Sequence, residues 1–320
     1  MSTQEGYLGI RERFITVEES AYGTNPGLST ATVPGNDIII TPTFTQGFQE
    51  IKSAGADDRV ISGRVAGPLG LGYSLAYYPT NFRRLKYVFD IDSETGSNPY
   101  THTLSIGNSL KTFSSEWTLR HDTAPLNFRM TGNVVTQSSY SFAKANGEGN
   151  DGFITCNESV ICQDYTNPTA QAGTFLATGD PFQYRHLDAV FDGNSVVEVN
   201  SGELVFTQGI NASDSRYASS SLGRTIGTPI VTLFRISGRL NLNLFKTDYV
   251  DLWAAAAAIG GACTLAFTQS LGNKITFTLS NVVLEPVPLS GTNIERVNTG
   301  DFTFTADSIS AVAIDAIANW

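Results

Sequence analysis

Phe234-Arg235-Ile236-Ser237-Gly238-Arg239-Leu240-Asn241-Leu242-Asn243-Leu244 is the stretch that decides the fold class. Phe234, Ile236, Leu240, Leu242 and Leu244 oppose Arg235, Ser237, Arg239, Asn241 and Asn243, the period-two pattern of a half-buried antiparallel strand. The same alternation returns in Lys274 to Ser280, where Ile275, Phe277 and Leu279 alternate with polar residues. It returns again in Glu198 to Gln208, with Val199, Leu204 and Phe206 on one face around a Ser201-Gly202 irregularity. Ser114 to Arg120, Asn127 to Thr136, Ser138 to Phe142 and Asp301 to Thr305 are further predicted strands. Gly- and Asn-rich loops such as Ser93 to Asn98 and Asn146 to Gly152 separate the strands.

Two segments have helical spacing. Phe82, Leu85 and Phe89 follow Thr80, and Tyr249, Leu252, Trp253 and Ala256 follow Thr247, so Thr80 and Thr247 are the predicted N-caps. The expected fold class is all-β with minor α.

Short strings recur in the same order. Phe44-Thr45-Gln46-Gly47 returns as Phe206-Thr207-Gln208-Gly209, and Ile61-Ser62-Gly63-Arg64 as Ile236-Ser237-Gly238-Arg239. The two helix starts come next, and then Gly132-Asn133-Val134-Val135 is matched by Ser280-Asn281-Val282-Val283. This order predicts two related β-barrel or sandwich modules in tandem, each with one short flanking helix. The expected boundaries are an N-terminal arm 1–20, a first module 21–162, a linker 163–186 and a second module 187–320 that includes the C-terminal tail.

Composition narrows the function classes. The 320 residues carry 30 Asp and Glu against 20 Lys and Arg, a net charge of −10. Charged residues make up 16 % of the chain, where about 25 % is ordinary. Much of the surface is therefore neutral, as protein interfaces are, which points to self-association. No run approaches the ~20 apolar residues of a membrane span, so no membrane partner is expected. The opening Met1-Ser2-Thr3-Gln4-Glu5 has no secretion-signal pattern, which leads to the expectation of synthesis in a cytosol. Cys156, Cys162 and Cys263 are too few and too irregularly spaced for a disulfide framework or a paired zinc motif, and read as buried small hydrophobes. The acidic balance argues against tight wrapping of nucleic acid, which needs many phosphate neutralisations.

Chemistry-bearing motifs are weak. There is no G-x-S-x-G or Walker A string. Gly147 to Gly152 fits G-x-G-x-x-G, but the strand-like Phe153-Ile154-Thr155-Cys156 follows where a helix should start, so it reads as a hairpin loop. Asp90, Asp92 and Glu94 lack calcium-loop spacing and read as a solvated turn. His121-Asp122 has no assignable nucleophile, and reads as an exposed turn. Glu116 and Glu148 are too ordinary in an acidic chain to make a glycosidase pair. No catalytic residue, cofactor or metal is expected, and the chain does not read as an enzyme.

The segment Glu19-Ser20-Ala21-Tyr22-Gly23-Thr24-Asn25-Pro26 resembles the opening of the tail tube proteins of long-tailed, siphophage-like bacteriophages and related viruses, in their double-module form. Val199 to Gly209, Ser221-Leu222-Gly223 and Ile236 to Leu242 are similar to that family's strand, Leu-Gly and Ser-Gly strand pattern, and Met130 to Phe142 to its paired central strands. Many relatives place Cys where this chain has Asn133. The resemblance implies a structural virion protein, assembled in the host cytoplasm. Its rings would stack into the hollow tail tube through which the genome is ejected.

The implied partners are other copies of the chain, three per pseudo-six-fold ring or alternatively six, along with stacked rings and the tape measure, tail terminator and tail-tip proteins. Viral DNA would pass the lumen without tight binding, past a neutral or acidic wall. Glu116, Glu198 and Glu203 are the acidic candidates for that wall.

Leu69, Leu71, Tyr73, Tyr77 and Tyr78 look like a Gly-punctuated apolar insertion absent from the second module, and are expected to reach a neighbour. On that expectation, deleting Leu69 to Tyr73 would leave folded subunits unable to form tubes. The arm Met1 to Gly23 and the tail Ala306 to Trp320 are expected ring-to-ring contacts. The rival reading is a carbohydrate-binding or adhesive β-sandwich of a viral tail or cell surface. It needs an exposed aromatic platform, which the dispersed Trp117, Trp253 and Trp320 do not supply.

Overall fold

The computed structural model describes residues 12–51, 63–119, 126–144, 152–172, 175, 179–191, 193–195, 199–211, 227–243, 263–285, 299–318 and 320. In the first half of the chain the strands are β1 (Glu12–Glu18), β2 (Gly35–Ile51), β3 (Gly63–Pro79), β4 (Asp90–Gly96), β5 (Tyr100–Ile106), β6 (Phe113–Leu119), β7 (Leu126–Ala143), β8 (Thr155–Cys162) and β9 (Asp164–Thr166). In the second half they are β10 (Leu187–Phe191), β11 (Asn194–Ser195), β12 (Val199–Asn211), β13 (Ile230–Asn243), β14 (Cys263–Ser270), β15 (Asn273–Ser280), β16 (Val283–Glu285), β17 (Thr299–Ala306) and β18 (Ser308–Asp315). A 3₁₀ turn, Arg83–Leu85, runs into the one-turn helix α1 (Lys86–Phe89). The chain is all-β with minor α.

Two sheets make the body. One runs in the order β16-β17-β13-β12-β7-β8-β3-β2, with β1, β6 and β9 attached through β7. The other runs β11-β10-β14-β15-β18-β5-β4. Each sheet takes strands from both halves, and every ladder is antiparallel. The halves join where β7 pairs with β12, from Ser201↔Ala143 to Thr207↔Gln137, and where β18 pairs with β5.

One core fills the space between the sheets. Tyr140 of β7 and Phe206 of β12 meet Phe277 of β15 at ring distances of 6.1 and 5.8 Å. Phe82, ahead of the 3₁₀ turn, packs its ring 4.8 Å from Phe182. The halves are therefore not two self-contained barrels, and 163–186 is not a spacer between separate bodies. Within that segment β9 pairs with β7, and Phe182 is buried in the shared core.

Within the first sheet the order of strands repeats. From the chain order β2, β3, β7, β8 the sheet places β2-β3-β8-β7. From β12, β13, β16, β17 it places β12-β13-β17-β16. Phe44 opposes Leu71 and Phe206 opposes Ile236, so Leu71, Tyr73, Leu75 and Tyr77 hold the rungs of Ile236, Gly238, Leu240 and Leu242; all eight are buried. Phe44-Thr45-Gln46-Gly47 and Phe206-Thr207-Gln208-Gly209 are equivalent in detail, because each ladder shifts register right after its Gln. The other string fails this test. Gly63 lies opposite Ile51 near the end of its hairpin, whereas Gly238 lies opposite Leu204 in mid-sheet. Gly238 is required there, since a Cβ would meet the Phe304 ring at 2.2 Å.

Several expectations need correction. Leu69 to Tyr73 is the middle of β3, paired to β2 on one side and, from Leu71, to β8 on the other. Leu71, Tyr73 and Tyr77 are buried and Leu69 and Tyr78 are half-buried, so this is core strand and not a projecting insertion. Its Gly and Ser residues fall on the opposite face. Thr80 does not cap the helix, which starts later; the Asn81 side-chain oxygen accepts from the Arg83 N–H at 3.1 Å instead. The Asp90–Glu94 stretch is strand β4, not a turn.

The tail is not a free arm either. β18 is central in the second sheet, and Trp320 is buried, stacked 4.1 Å from His102 and donating to Asp315 Oδ2 at 3.0 Å. Thr247 and its helix, Trp253, His121-Asp122, Glu148, Glu198 and residues 1–11 of the arm lie outside the described residues.

Leu71→Ala, which empties a site at 4 % exposure, is expected to lower the unfolding free energy by about 2–5 kcal/mol in urea titration. Deleting Leu69 to Tyr73 is expected to give no folded subunit by circular dichroism.

Candidate functional site: the open sheet face and its edges

The first sheet has one face on the core and one face open. On the open face β2 presents Thr41, Thr43 and Thr45, β3 presents Ser74, β7 presents Gln137, and β8 presents Asn157 and Ser159, all exposed. A depression of about 300 Å³ lies over Thr41, Ser74, Gln137, Ser139, Asn157 and Ser159, with Ile39 at its side. Many of these groups are short hydroxyls, and some bond to their own ladder, as Thr136 Oγ1 does to the Ser159 carbonyl at 3.0 Å. Farther along, the face carries charges of both signs. Glu203 lies opposite Arg239, Arg239 opposite Thr303, and Thr303 opposite Glu285, while Arg235 and Asp301 are exposed beside them. The face is thus neutral over one half and mixed over the other.

Of the acidic residues considered for a channel wall, Glu203 is on this face. Glu116 is not: it is fully buried and holds Arg13 at 2.8 Å and Arg129 at 2.7 Å.

The ends of the sheet are β2 and β16, and among the described residues no strand pairs with the outer side of either. At β2 the core-facing side chains become exposed along the strand, from Ile40 at 9 % to Phe44 at 43 %. Phe44 stacks on Tyr165 of β9 at 5.5 Å and lies 6.1 Å from Phe128, making an aromatic ledge along the edge. Sequence reading did not find this ledge, because neither ring lies near the other in the chain.

Buried charges tie the non-strand segments to the sheet. Glu19, from the motif that carries the family resemblance, accepts from the Gly23 and Gly132 N–H groups at 3.0 and 2.9 Å and from Thr112 and Ser114 hydroxyls at 2.8 and 2.6 Å. Gly132 has φ +61° and packs under Tyr22, where a Cβ would meet the ring at 3.1 Å.

Arg84, beside the helix, reaches both oxygens of Glu158 from Nε at 2.8 and 3.0 Å, and its guanidinium lies 4.7 Å over the Phe113 ring. Burial works against its charge, but Glu158 outweighs that and holds the guanidinium well above its ordinary pKa. Tyr77 also donates to Glu158, at 2.9 Å. Glu158 is thus fully engaged by structural partners.

The three cysteines are buried as expected, and burial pushes the Cys156 thiol up to about 12. Among the described residues, no group of three or more His, Cys, Asp or Glu could hold a metal ion, and no helix is long and apolar enough to cross a membrane. Comparison with models of known protein families and with curated protein sequences finds no match.

Glu158→Ala, which leaves Arg84 buried and unpaired, is expected to cost about 3–5 kcal/mol of stability. The double variant Arg84→Met with Glu158→Leu is expected to recover most of that loss in the same denaturant titration.

Proposed function

We propose that the chain is a structural subunit that associates with copies of itself into rings. Stacked rings would form a hollow tube, the tail tube of a virion through which the genome leaves. The observation that carries this reading is the open, largely neutral face of a long sheet whose strand order repeats and whose two ends are, among the described residues, unpaired. A repeated order with free ends is a head-to-tail device, and such a device closes into a ring where the rotation between copies allows. Three copies, each bringing two repeats, would give a pseudo-six-fold ring, and six copies are the alternative.

The open face suits the wall of a conduit for DNA. Duplex DNA carries one negative charge per ~1.7 Å, and a cationic wall would grip it by releasing counterions. Here Ser, Thr, Asn and Gln dominate one half of the face, and Arg235 and Arg239 are offset by Glu203, Asp301 and Glu285 in the other. Tape measure, terminator and tail-tip proteins would be the further partners of such a tube. The adhesive alternative has the Phe44–Tyr165 ledge in its favour, but the ledge lies at an unpaired sheet edge, where a neighbouring copy would cover it.

Electron microscopy of the purified chain is expected to show hollow cylinders of uniform width, and the mass of a dissociated ring to equal three chains. Ser74→Lys with Asn157→Lys is expected to make those cylinders retain nuclease-protected duplex DNA that the parent releases. Monodisperse single chains that bind glycans would favour the adhesive reading.

A further inference from the structure

We infer that His102 carries a proton on both ring nitrogens, and that this imidazolium is a pH-sensitive clasp joining the edge strand β4 to the tail at Ile317 and Trp320.

His102 stands on β5 between β4 and β18, with Glu94 opposite it on one side and Ala313 on the other, and it is fully buried. Its Nε2 lies 2.9 Å from the Ile317 carbonyl oxygen. A carbonyl only accepts, so Nε2 bears a hydrogen. On the other side of the ring Nδ1 lies 3.5 Å from Asp92 Oδ1 and 3.9 Å from Glu94 Oε2. Among the described residues, His102 Nδ1 and Asp92 Oδ1 are both buried without a hydrogen-bond partner. Two acceptors face each other there, unless Nδ1 also bears a hydrogen.

A neutral imidazole has one N–H and can serve only one of these sides. With the hydrogen on Nε2 it holds the tail and leaves a lone pair against Asp92; with the hydrogen on Nδ1 it serves Asp92 and turns a lone pair to the Ile317 carbonyl. Only the imidazolium gives a donor to both. The surrounding charges favour it: Asp92 and Glu94 from β4 and Asp315 from β18, whose Oδ1 is 3.7 Å from Nε2, are all acidic, and the nearby cation Arg83 acts on Asp315. The ring also stacks on Trp320 at 4.1 Å and 16°, where an aromatic face attracts a cation. Asp315 completes the clasp by accepting from the Ile317 N–H at 2.7 Å and from Trp320 Nε1 at 3.0 Å.

The direction with pH follows. A cation that gains partners on folding contributes fully below the pH at which it titrates unfolded, about 6.5 for imidazole, and the contribution is lost as pH rises through the folded group's own titration. Burial holds the Asp315 carboxyl above its ordinary range, so the clasp is tested above about pH 6, where Asp315 keeps its charge.

The first measurement is ¹⁵N NMR of the full chain labelled in its three histidines, with the His102 signals identified by their loss in His102→Gln. At about pH 7.5, where an ordinary imidazole is mostly neutral, both His102 nitrogens are expected at protonated shifts; a bare Nδ1 overturns the inference. The second follows Trp320 by ¹⁹F NMR of chain labelled with 5-fluorotryptophan, with its line identified by its loss in Trp320→Phe. From about pH 6.5 to about pH 9 the parent line is expected to move toward the position of free tryptophan as the tail loosens. Asp92→Asn can donate an amide hydrogen to a bare Nδ1, so it is expected to leave His102 neutral with its hydrogen on Nε2 and to hold the Trp320 line at the buried position across that range. A parent line that does not move, or one that moves equally in Asp92→Asn, shows that the Nδ1 proton does not fasten the tail and overturns the clasp.

Discussion

The ladder between β7 and β12 is the interaction on which the rest of the structure depends. Buried backbone N–H and C=O groups need partners, and in mid-sheet they can find them only on neighbouring strands. From Ser201↔Ala143 to Thr207↔Gln137 that need welds the halves of the chain into one sheet. It also carries Tyr140 and Phe206 side by side over Phe277, so the core of the second sheet is assembled on the same junction. β7 can serve both sides because it is 18 residues long. Its first part pairs with β6 and β9, and its second with β8 and β12. The first use ends at Asn133, opposite Phe113, and the second begins at Val134, opposite Ile161.

Charge is used sparingly on the open face and pointedly inside. Glu19, Glu116 and Glu158 are all buried, and each accepts from several donors that belong to different segments. A carboxylate with several donors holds its surroundings in one arrangement, because removing any one donor leaves charge poorly solvated. The N-terminal turn and the Arg84 turn have little regular pairing of their own to fix them. These carboxylates supply the missing constraint, and they account for why the Glu-Ser-Ala-Tyr-Gly motif needs its Glu and why Gly132 sits beneath Tyr22.

Alternation made most strands legible, because residues such as Ile275, Phe277 and Leu279 face one shared core on a period that only a strand can satisfy. The same signal was present at Leu69 to Tyr77, but glycines at 70 and 72 masked it. Small residues on the open face look like loop punctuation when the face they line is unknown. Thr80 was a sound cap by composition, yet Asn81 stands one residue nearer the turn and takes the bond. Neighbour relations were the least legible part. The Ile-Ser-Gly-Arg strings match in letters and not in rung, whereas the Phe-Thr-Gln-Gly strings match in both. Nothing short of the ladder registers separates the two cases. Trp320 reads in the sequence as a contact between rings because its partners, His102 and Asp315, converge only once β18 pairs with β5.

The two Phe-Thr-Gln-Gly strings also show why an edge is a property of the sheet and not of the strand. Phe44 and Phe206 have the same residue type, the same following bulge and the same core-facing side of their strands, so local propensity treats them alike. Their burial differs because β12 has β7 beside it and β2 ends the sheet. A fold meant to stay single blunts such an edge with inward-pointing charge, proline or a covering segment. β2 has Pro42 on its core-facing side, yet from Ile40 to Gln46 it carries no charged residue and sets Phe44 against Tyr165 at the rim.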